Sequence, residues 1–356
     1  MDNQGAPKVS VCLPCYNAEK TIARTLESLL AQDYANFEIL ICDNSSTDNT
    51  VKIVSTYNDA RIKLIINPFV KTPEDNWNHS LAAAKGYYVA LYHADDLIEK
   101  SMIRAQVEFL ETHTEACAVF VATQIIDEKD TPIEITSLKF NAPEKYVGQN
   151  VFDFQSLFNA ILRYDNFIMP TLMTRKEVLE HLGGFEHNKF KTSSDLGMWL
   201  KLASYKPVGY LHQRLHRYRI SINQGGFIMR KNRLSLSDYF LVTDYYLNRP
   251  EVISNIDSDS FDHYKIHKLH DKILLSMNLL HFGKVTEAKN VLEQGLSIGF
   301  LFKGIKYPRK LLRILLGYVF LISIYLRKGP QVGGFFYDQY YNQLLSRTKQ
   351  LTTDTK

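Results

Sequence analysis

Cysteine is scarce, with only Cys12, Cys15, Cys42 and Cys117 in 356 residues. That is far below the density of a disulfide-stapled scaffold. The spacing Cys12-Leu13-Pro14-Cys15 admits a thioredoxin-like redox reading. However, Cys12 falls inside an apolar strand pattern, and no second Cys/His pair follows at zinc spacing. Small buried residues in a reducing cytosol account for all four. No apolar run reaches the roughly 20 residues that span a bilayer comfortably. Met1 to Pro7 is polar and lacks the apolar centre of a secretory leader. No Gly-X-Gly-X-X-Gly follows the first strand pattern and no Gly-X-X-X-X-Gly-Lys-Ser/Thr occurs, which argues against a dinucleotide enzyme and a P-loop NTPase. A net charge of +4 is too small to argue for nucleic acid, and no internal repeat or low-complexity segment is evident.

What is present is an ordinary apolar share of 45%, ample for a core, in a chain long enough for one large domain plus an appendage. Short apolar runs at Val9–Pro14, Phe37–Cys42, Ile62–Ile66, Tyr87–Tyr92 and Ala118–Gln124 read as strands. They alternate with helical patterns at Ala18–Gln32, from Ser46 or Thr47 to about Tyr57, Trp77–Lys85 and Met102–His113, with Asn17 as the expected cap of the first. Continuous apolar strands between helices predict an α/β fold with a mostly parallel sheet covered on both faces. Ligands of such sheets gather at the carboxyl ends of the strands, where Tyr16-Asn17, Asp43-Asn44 and Asp95-Asp96 stand. After a polar stretch from Glu128 to Asn150, the pattern predicts a helix near Phe154–Leu162, a segment Phe167–Thr174, a helix ending at Gly183-Gly184, a helix from about Ser194 and an extended Val208–Arg219. Beyond about Leu234 strand signals stop. Tyr264–Phe282 and Val285–Leu296 read as a helical hairpin turned at Gly283, whose Gly283, Ala288, Leu292 spacing faintly matches one tetratricopeptide unit. A single unit cannot bury its own face, so it is expected to pack on the main domain.

Ala90-Leu91-Tyr92-His93-Ala94-Asp95-Asp96 is the strongest chemical signal. Adjacent carboxylates at a strand tip repel unless a cation sits nearby. Hard divalent ions such as Mg²⁺ or Mn²⁺ bind oxygen ligands and bridge them to phosphates. This predicts a metal-bound diphosphate at the end of the sheet.

The chain resembles the family 2 glycosyltransferases, which have a GT-A fold. The resemblance covers roughly 9–221 and rests on Val-Ser-Val-Cys-Leu-Pro-Cys-Tyr-Asn (9–17), Asp-Asn-Ser-Ser-Thr-Asp (43–48), the run 84–96, and Gly-Gly-Phe-Glu (183–186) followed by Ser-Asp-Leu-Gly-Met-Trp-Leu (194–200). It implies a GT-A catalytic domain over 1–233, with a nucleotide-sugar half at about 8–125 and an acceptor half at about 126–233. Pro14, Tyr16 and Asn17 would then line the nucleotide pocket, and Asp43 with Asn44 would recognise base or ribose. Asp95 would face ribose and metal, Asp96 would be the principal metal ligand, and Asp195 matches the base of inverting members. Three positions depart from the family pattern: Asn44 replaces an acid, His93 stands where another Asp is common, and Ser194 replaces the acid that usually precedes the base. Asp195 therefore has no sequence neighbour to raise its pKa.

Glycosyl transfer must neutralise the departing diphosphate and deprotonate the acceptor hydroxyl. A metal on Asp96 meets the first demand and Asp195 the second. Bland readings exist for each residue. Asp95-Asp96 and Asp195 could cap the helices that follow, Asp43 could be a turn residue and Asp48 reads best as a turn or cap residue; His93 could be a spectator, a support for the metal ligands or a ligand itself. Trp199 reads as core. Arg217 and Arg219 suit a diphosphate or, equally, a solvated strand edge.

The expected substrates are a nucleoside-diphosphate sugar, with UDP the favoured nucleotide, and a glycan or lipid-linked saccharide, as in surface polysaccharide synthesis. Direct transfer to polyprenyl phosphate and an inactive glycan-binding scaffold remain as alternatives. Residues 234–299 are expected as the helical hairpin and 300–356 as a basic amphipathic tail, frayed from Ser346. From Leu301 to Pro330 the tail carries Lys303, Lys306, Arg309, Lys310, Arg313, Arg327 and Lys328 and no acid. Its apolar centre with basic flanks suits a helix lying on an anionic membrane surface, with a buried helix packed on the catalytic domain and a membrane hairpin or span as the alternatives. A cytoplasmic protein, peripheral on the inner face of the cell membrane, is the expected setting.

Overall fold

Fully buried strands tolerate no polar alternation, and the first elements of the chain follow that rule. In the computed structural model, which describes residues 8–133, 148–164, 167–220, 231–305 and 308–353, Val9–Cys15 (β1) is buried at every position. It is followed by helix Ile22–Leu30 (α1), strand Phe37–Asp43 (β2), helix Thr50–Val54 (α2), strand Ile62–Ile66 (β3), helix Pro73–Ala83 (α3) and strand Tyr88–Leu91 (β4). Short strand Leu97–Ile98 (β5), helix Met102–Thr112 (α4) and strand Ala118–Ile126 (β6) complete the first half. Then come Val151–Phe152 (β7), Phe154–Leu162 (α5), Leu172–Arg175 (β8), Lys176–Leu182 (α6), His187–Phe190 (α7), Ser194–Tyr205 (α8) and Val208–Arg219 (β9).

These strands form one sheet in the order β3-β2-β1-β4-β8-β6-β9-β5, with β7 added on β9. β1 lies parallel to both β2 and β4. The chain therefore reverses its direction of progress across the sheet at β1, the place where α/β sheets open a ligand crevice. The sheet is less parallel than its apolar runs suggest, since β8 pairs antiparallel with both β4 and β6. The architecture is a mixed α/β sheet with flanking helices. Gly86, just before β4, has no room for a side chain: a Cβ there would lie 2.5 Å from the Ser10 backbone nitrogen.

Local starts differ from the sequence expectation in three places, one being α2, which begins at Thr50 with Asn49 at its cap position and not Ser46 or Thr47. Asn17 does not cap α1. It sits at a positive φ of 49°, and its side-chain oxygen accepts from the Thr47 backbone N–H at 2.8 Å, which ties two strand-tip loops together. Helix α3 starts earlier than Trp77: Thr72 caps it by accepting from the Asp75 N–H at 3.1 Å, and Pro73 occupies the first helical position, where its missing N–H costs nothing.

The chain divides into two compact units, Met1–Arg219 and Ile220–Lys356. The first closes with the last strand of the sheet; the sequence reading put its end at residue 233. The second is helical among its described residues: Tyr239–Leu247 (α9), Pro250–Ile253 (α10), Ser258–His281 (α11), Val285–Glu293 (α12), Ile298–Ile305 (α13), Pro308–Tyr325 (α14) and Gly329–Thr353 (α15). The α11–α12 hairpin turns at Gly283, with φ +73°. Its apolar face is buried against its own unit: Ile273, Leu280, Ala288 and Leu292 share a core with Ile314 and Phe320 of α14 and with Tyr337 and Tyr341 of α15. Hairpin and tail thus have a common core, and the helical backbone continues through Ser346 to Thr353. No described helix is long and apolar enough to cross a membrane. Residues 134–147, most of the expected polar stretch, lie outside the described residues, as do 221–230 and the side chains of Lys303, Lys306, Arg309 and Lys310.

Candidate active site

The carboxyl end of β4 delivers the chain into a tight turn that holds three potential ligands together. Tyr92 anchors it from inside, donating to the Gln106 side-chain oxygen at 2.6 Å. The Thr25 hydroxyl of α1 lies 2.8 Å from the Asp96 carbonyl and 3.0 Å from that of Ala94. From the end of β9, Arg219 braces the other side. Its backbone N–H donates to Asp96 Oδ1 at 2.8 Å and its Nε to the Asp95 carbonyl at 2.7 Å. Its remaining guanidinium groups reach the Asp127 carbonyl at 2.8 Å and the Asp130 carboxylate.

Within this frame, ligand atoms of His93, Asp95 and Asp96 lie within 4.8 Å of one another. Asp96 is fully buried. Its Oδ2 and the buried His93 Nε2 have no hydrogen-bond partner, although the buried His216 Nε2 stands 3.2 Å from Asp96 Oδ2. Burial pushes the His93 imidazole below its usual pKa, against the pull of Asp96 and with the help of His216, so the ring keeps a free lone pair. Two carboxylates, an unprotonated imidazole and unsatisfied buried ligand atoms fit a divalent cation.

The β1 and β2 tips form the neighbouring wall. Asp43 is fully buried and accepts from the Ser46 N–H at 2.8 Å and the Ser46 hydroxyl at 2.5 Å. Asn44 donates to the Lys71 carbonyl at 2.9 Å while its oxygen accepts from the Lys71 N–H at 2.9 Å and Asn67 at 3.2 Å. A carboxylate could not make that donor contact, which accounts for an amide at this position. Pro14 is buried in β1, and Tyr16, half exposed at 49%, offers the free ring of this wall. Asp48 precedes the cap position of α2, held by Asn49, and accepts from the Thr50 N–H at 2.9 Å and the Glu19 N–H at 3.0 Å.

The third component is Asp195, in the first turn of α8, where its Oδ1 accepts from the Leu196 N–H at 2.7 Å. Burial pushes its carboxyl up to about 6, and the Glu74 carboxylate adds to the rise. The acid missing at 194 is thus supplied by α3, from far away in sequence. Glu74 is itself buried and lies 3.3 Å from His187 Nδ1. Helix α3 also grips the segment before α8: the Asn78 amide donates to the Phe185 carbonyl at 3.0 Å and accepts from its N–H at 2.7 Å. A Cβ on Gly184 would lie 2.1 Å from that amide oxygen. Trp77 sits between the two regions, 5.5 Å from the His93 ring and 5.1 Å from Phe185. Burial, together with Asp96, Asp95 and Asp195, raises the Tyr218 phenol above its ordinary range. One side chain therefore feels both the strand-tip acids and the carboxylate on α8.

The expectation for the two arginines changes here, while those for Trp199 and the cysteines hold. Arg219 spends its guanidinium on the Asp95–Asp96 turn, and Arg217 donates to Glu99 at 2.5 Å, so both are occupied within the protein; Arg219 is a brace of the acidic turn. Trp199 is core, packed against Phe120 and Phe167. All four cysteines are free and buried. Burial pushes Cys42 up to about 12 and Cys117 to about 11, with Cys12 and Cys15 also raised. Thiols held in that state are poor nucleophiles, which removes the redox reading. Glu74 and His216 escaped the sequence reading. Only Thr72-Pro73-Glu74-Asp75, a helix-start signature, could have flagged the first.

Comparison with known proteins bears on the family and the fold. The family model described as Glycosyl transferase family 2 matches residues 10–181. The chain is 32% identical over 196 residues, 55% of its length and 70% of the relative's, to the Escherichia coli UDP-Glc:alpha-D-GlcNAc-diphosphoundecaprenol beta-1,3-glucosyltransferase WfaP. It is 27% identical to a Pasteurella multocida chondroitin synthase, over 72% of this chain and 25% of that one. Among solved structures, the Pyrobaculum calidifontis mannosyltransferase PcManGT in complex with GDP-Man and Mn²⁺ superposes with a TM-score of 0.53, at 17% identity, over 91% of this chain and 87% of the other. At that identity the likeness speaks for the fold alone.

Proposed function

Since this chain belongs to glycosyl transferase family 2 and is a glycosyltransferase, we propose that it is an inverting, metal-dependent enzyme that moves a sugar from a UDP-sugar to a hydroxyl of a lipid-linked saccharide during surface polysaccharide synthesis. The observation that carries the reading is the pairing of a three-ligand acidic turn with a carboxylate of raised pKa, both felt by Tyr218. Asp96, Asp95 and His93 would hold Mg²⁺ or Mn²⁺. The bound ion supplies Lewis-acid neutralisation of the leaving diphosphate.

The protein's own groups account for the rest. Tyr16 offers a face to the base, and the Asn17, Asp43 and Asn44 network fixes the two strand tips around it. Asp195, ionised at neutral pH but with a pKa near 6, is matched to accept the acceptor hydroxyl's proton as that oxygen attacks the anomeric carbon from the side opposite the diphosphate. Attack from that side inverts the configuration. A base in place is worth about 10²- to 10⁴-fold in rate. The donor nucleotide and the lipid-linked acceptor follow the E. coli relative, whose name carries both. Such an acceptor places the work at the inner face of the cell membrane.

The deciding assay measures UDP release from a panel of UDP-sugars with and without Mn²⁺. Metal-stimulated release that Asp96→Ala lowers by at least about 10²-fold is the expected result. Tight donor binding without turnover, or turnover indifferent to metal, would overturn the proposal.

A further inference from the structure

Helix α14 presents two faces of opposite character. Ile314, Gly317 and Phe320 turn inward, and Gly317 packs against Ile273 and Leu296. On the other side Leu312, Leu315, Val319 and Ile322 are 72%, 45%, 44% and 57% exposed, and Leu326 follows at 68% just past the helix end. The steps of three, four, three and four residues keep all five on one stripe. Over 18 residues the helix is about 27 Å long, so the stripe is a continuous aliphatic line and not a scatter of single exposed side chains.

The charge of this stretch of sequence has one sign, although Glu293 of α12 reaches the helix end, where it accepts from the Tyr325 hydroxyl at 2.7 Å. No acidic residue occurs between Glu293 and Asp338, while that interval carries seven lysines and arginines. Of these, Arg313, Arg327 and Lys328 are exposed, and Arg327 and Lys328 follow directly on the end of the stripe at Leu326. A second copy of the chain would set this basic surface against itself across a two-fold axis, which is repulsive. A bilayer with anionic headgroups satisfies both features together, since the aliphatic line enters the acyl boundary while the cations stay at the phosphates.

We propose that the Leu312–Leu326 stripe of α14 is an in-plane docking surface for an anionic lipid bilayer. This deepens the reading of a lipid-linked acceptor, yet it is measured without any sugar transfer. In sedimentation with vesicles of phosphatidylglycerol and phosphatidylethanolamine, the full chain is expected to pellet, to be released in part by high salt, and to stay in solution with phosphatidylcholine alone. The double variant Leu315→Asp/Ile322→Asp should bind at least about tenfold less while releasing UDP from soluble donor at the wild-type rate. Should that variant fold poorly, Arg313→Gln/Arg327→Gln/Lys328→Gln alters exposed charges only, and it should weaken binding and flatten the salt dependence. A wild-type chain that ignores anionic vesicles overturns the inference, as does a folded double variant that binds undiminished. A lipid-free dimer dissolved by the double variant would also overturn it, by assigning the stripe to a second copy. Vesicle binding with no UDP release would instead sink the catalytic reading and leave the docking surface standing.

Discussion

Asp195 pays for its reactivity in stability. An acid whose pKa rises from 3.8 to about 6 on folding binds more protons in the folded than in the unfolded state between those values. Stability therefore falls as pH rises through that window, and the whole penalty is present above it. Asp195→Asn is expected to be more stable than the wild type at pH 8 by roughly 1–3 kcal/mol, with the gain fading as pH falls from 6 toward 4, while transfer drops at least about 10²-fold. Urea melts at several pH values, set beside turnover, check both halves; a variant less stable at pH 8 would contradict the account. Glu74 acts on the same carboxylate from α3. Glu74→Gln removes a nearby negative charge, so the acid limb of the kcat/KM profile should move to lower pH. An unmoved limb would show that the charge on Glu74 does not tune the base.

At the scale of elements, helix α3 sets the distance between the two halves of the chemistry. It carries Glu74, Trp77 and Asn78, and the Asn78 amide closes on Phe185 only because Gly184 leaves room. Gly184→Ala forces the amide or the 183–186 turn to shift. That should cost about 1–3 kcal/mol of stability and lower kcat, since a displacement near 1 Å can cost about 10²-fold. Donor affinity should hardly change, because the β1 and β2 tips are untouched. Calorimetric binding of UDP beside steady-state rates separates the two effects, and equal losses in both would refute the division of labour.

The whole molecule joins two units with separate cores, and the candidate chemistry resides in the first. A ligand that binds only the folded state stabilises it by mass action, about 2.7 kcal/mol at a hundredfold excess over Kd, or about 5–10 °C for a domain of this size. UDP-sugar with Mn²⁺ is expected to produce such a shift by thermal melting. Asp96→Ala should erase most of it, and a shift that survives the substitution would place the donor elsewhere.

What the sequence determined by itself was local or nearly so. β1, β2 and β4 are buried throughout and are written as nearly continuous apolar runs, so they were legible within a residue or two, as were the edge strand β3, the helix carrying Trp199 and the turn at Gly283. Asp95-Asp96 and Asp195 stood out because their motifs are contiguous. Tertiary structure alone decided which strands run antiparallel, because pairing partners leave no local mark on a buried run. It also decided that Arg219 braces Asp95 and Asp96, that His216 stands against Asp96 Oδ2, and that Glu74 supplies the charge absent at Ser194. Each of these joins residues more than a hundred positions apart, and a pKa or a ligand site depends on distance in space, which residue order does not encode.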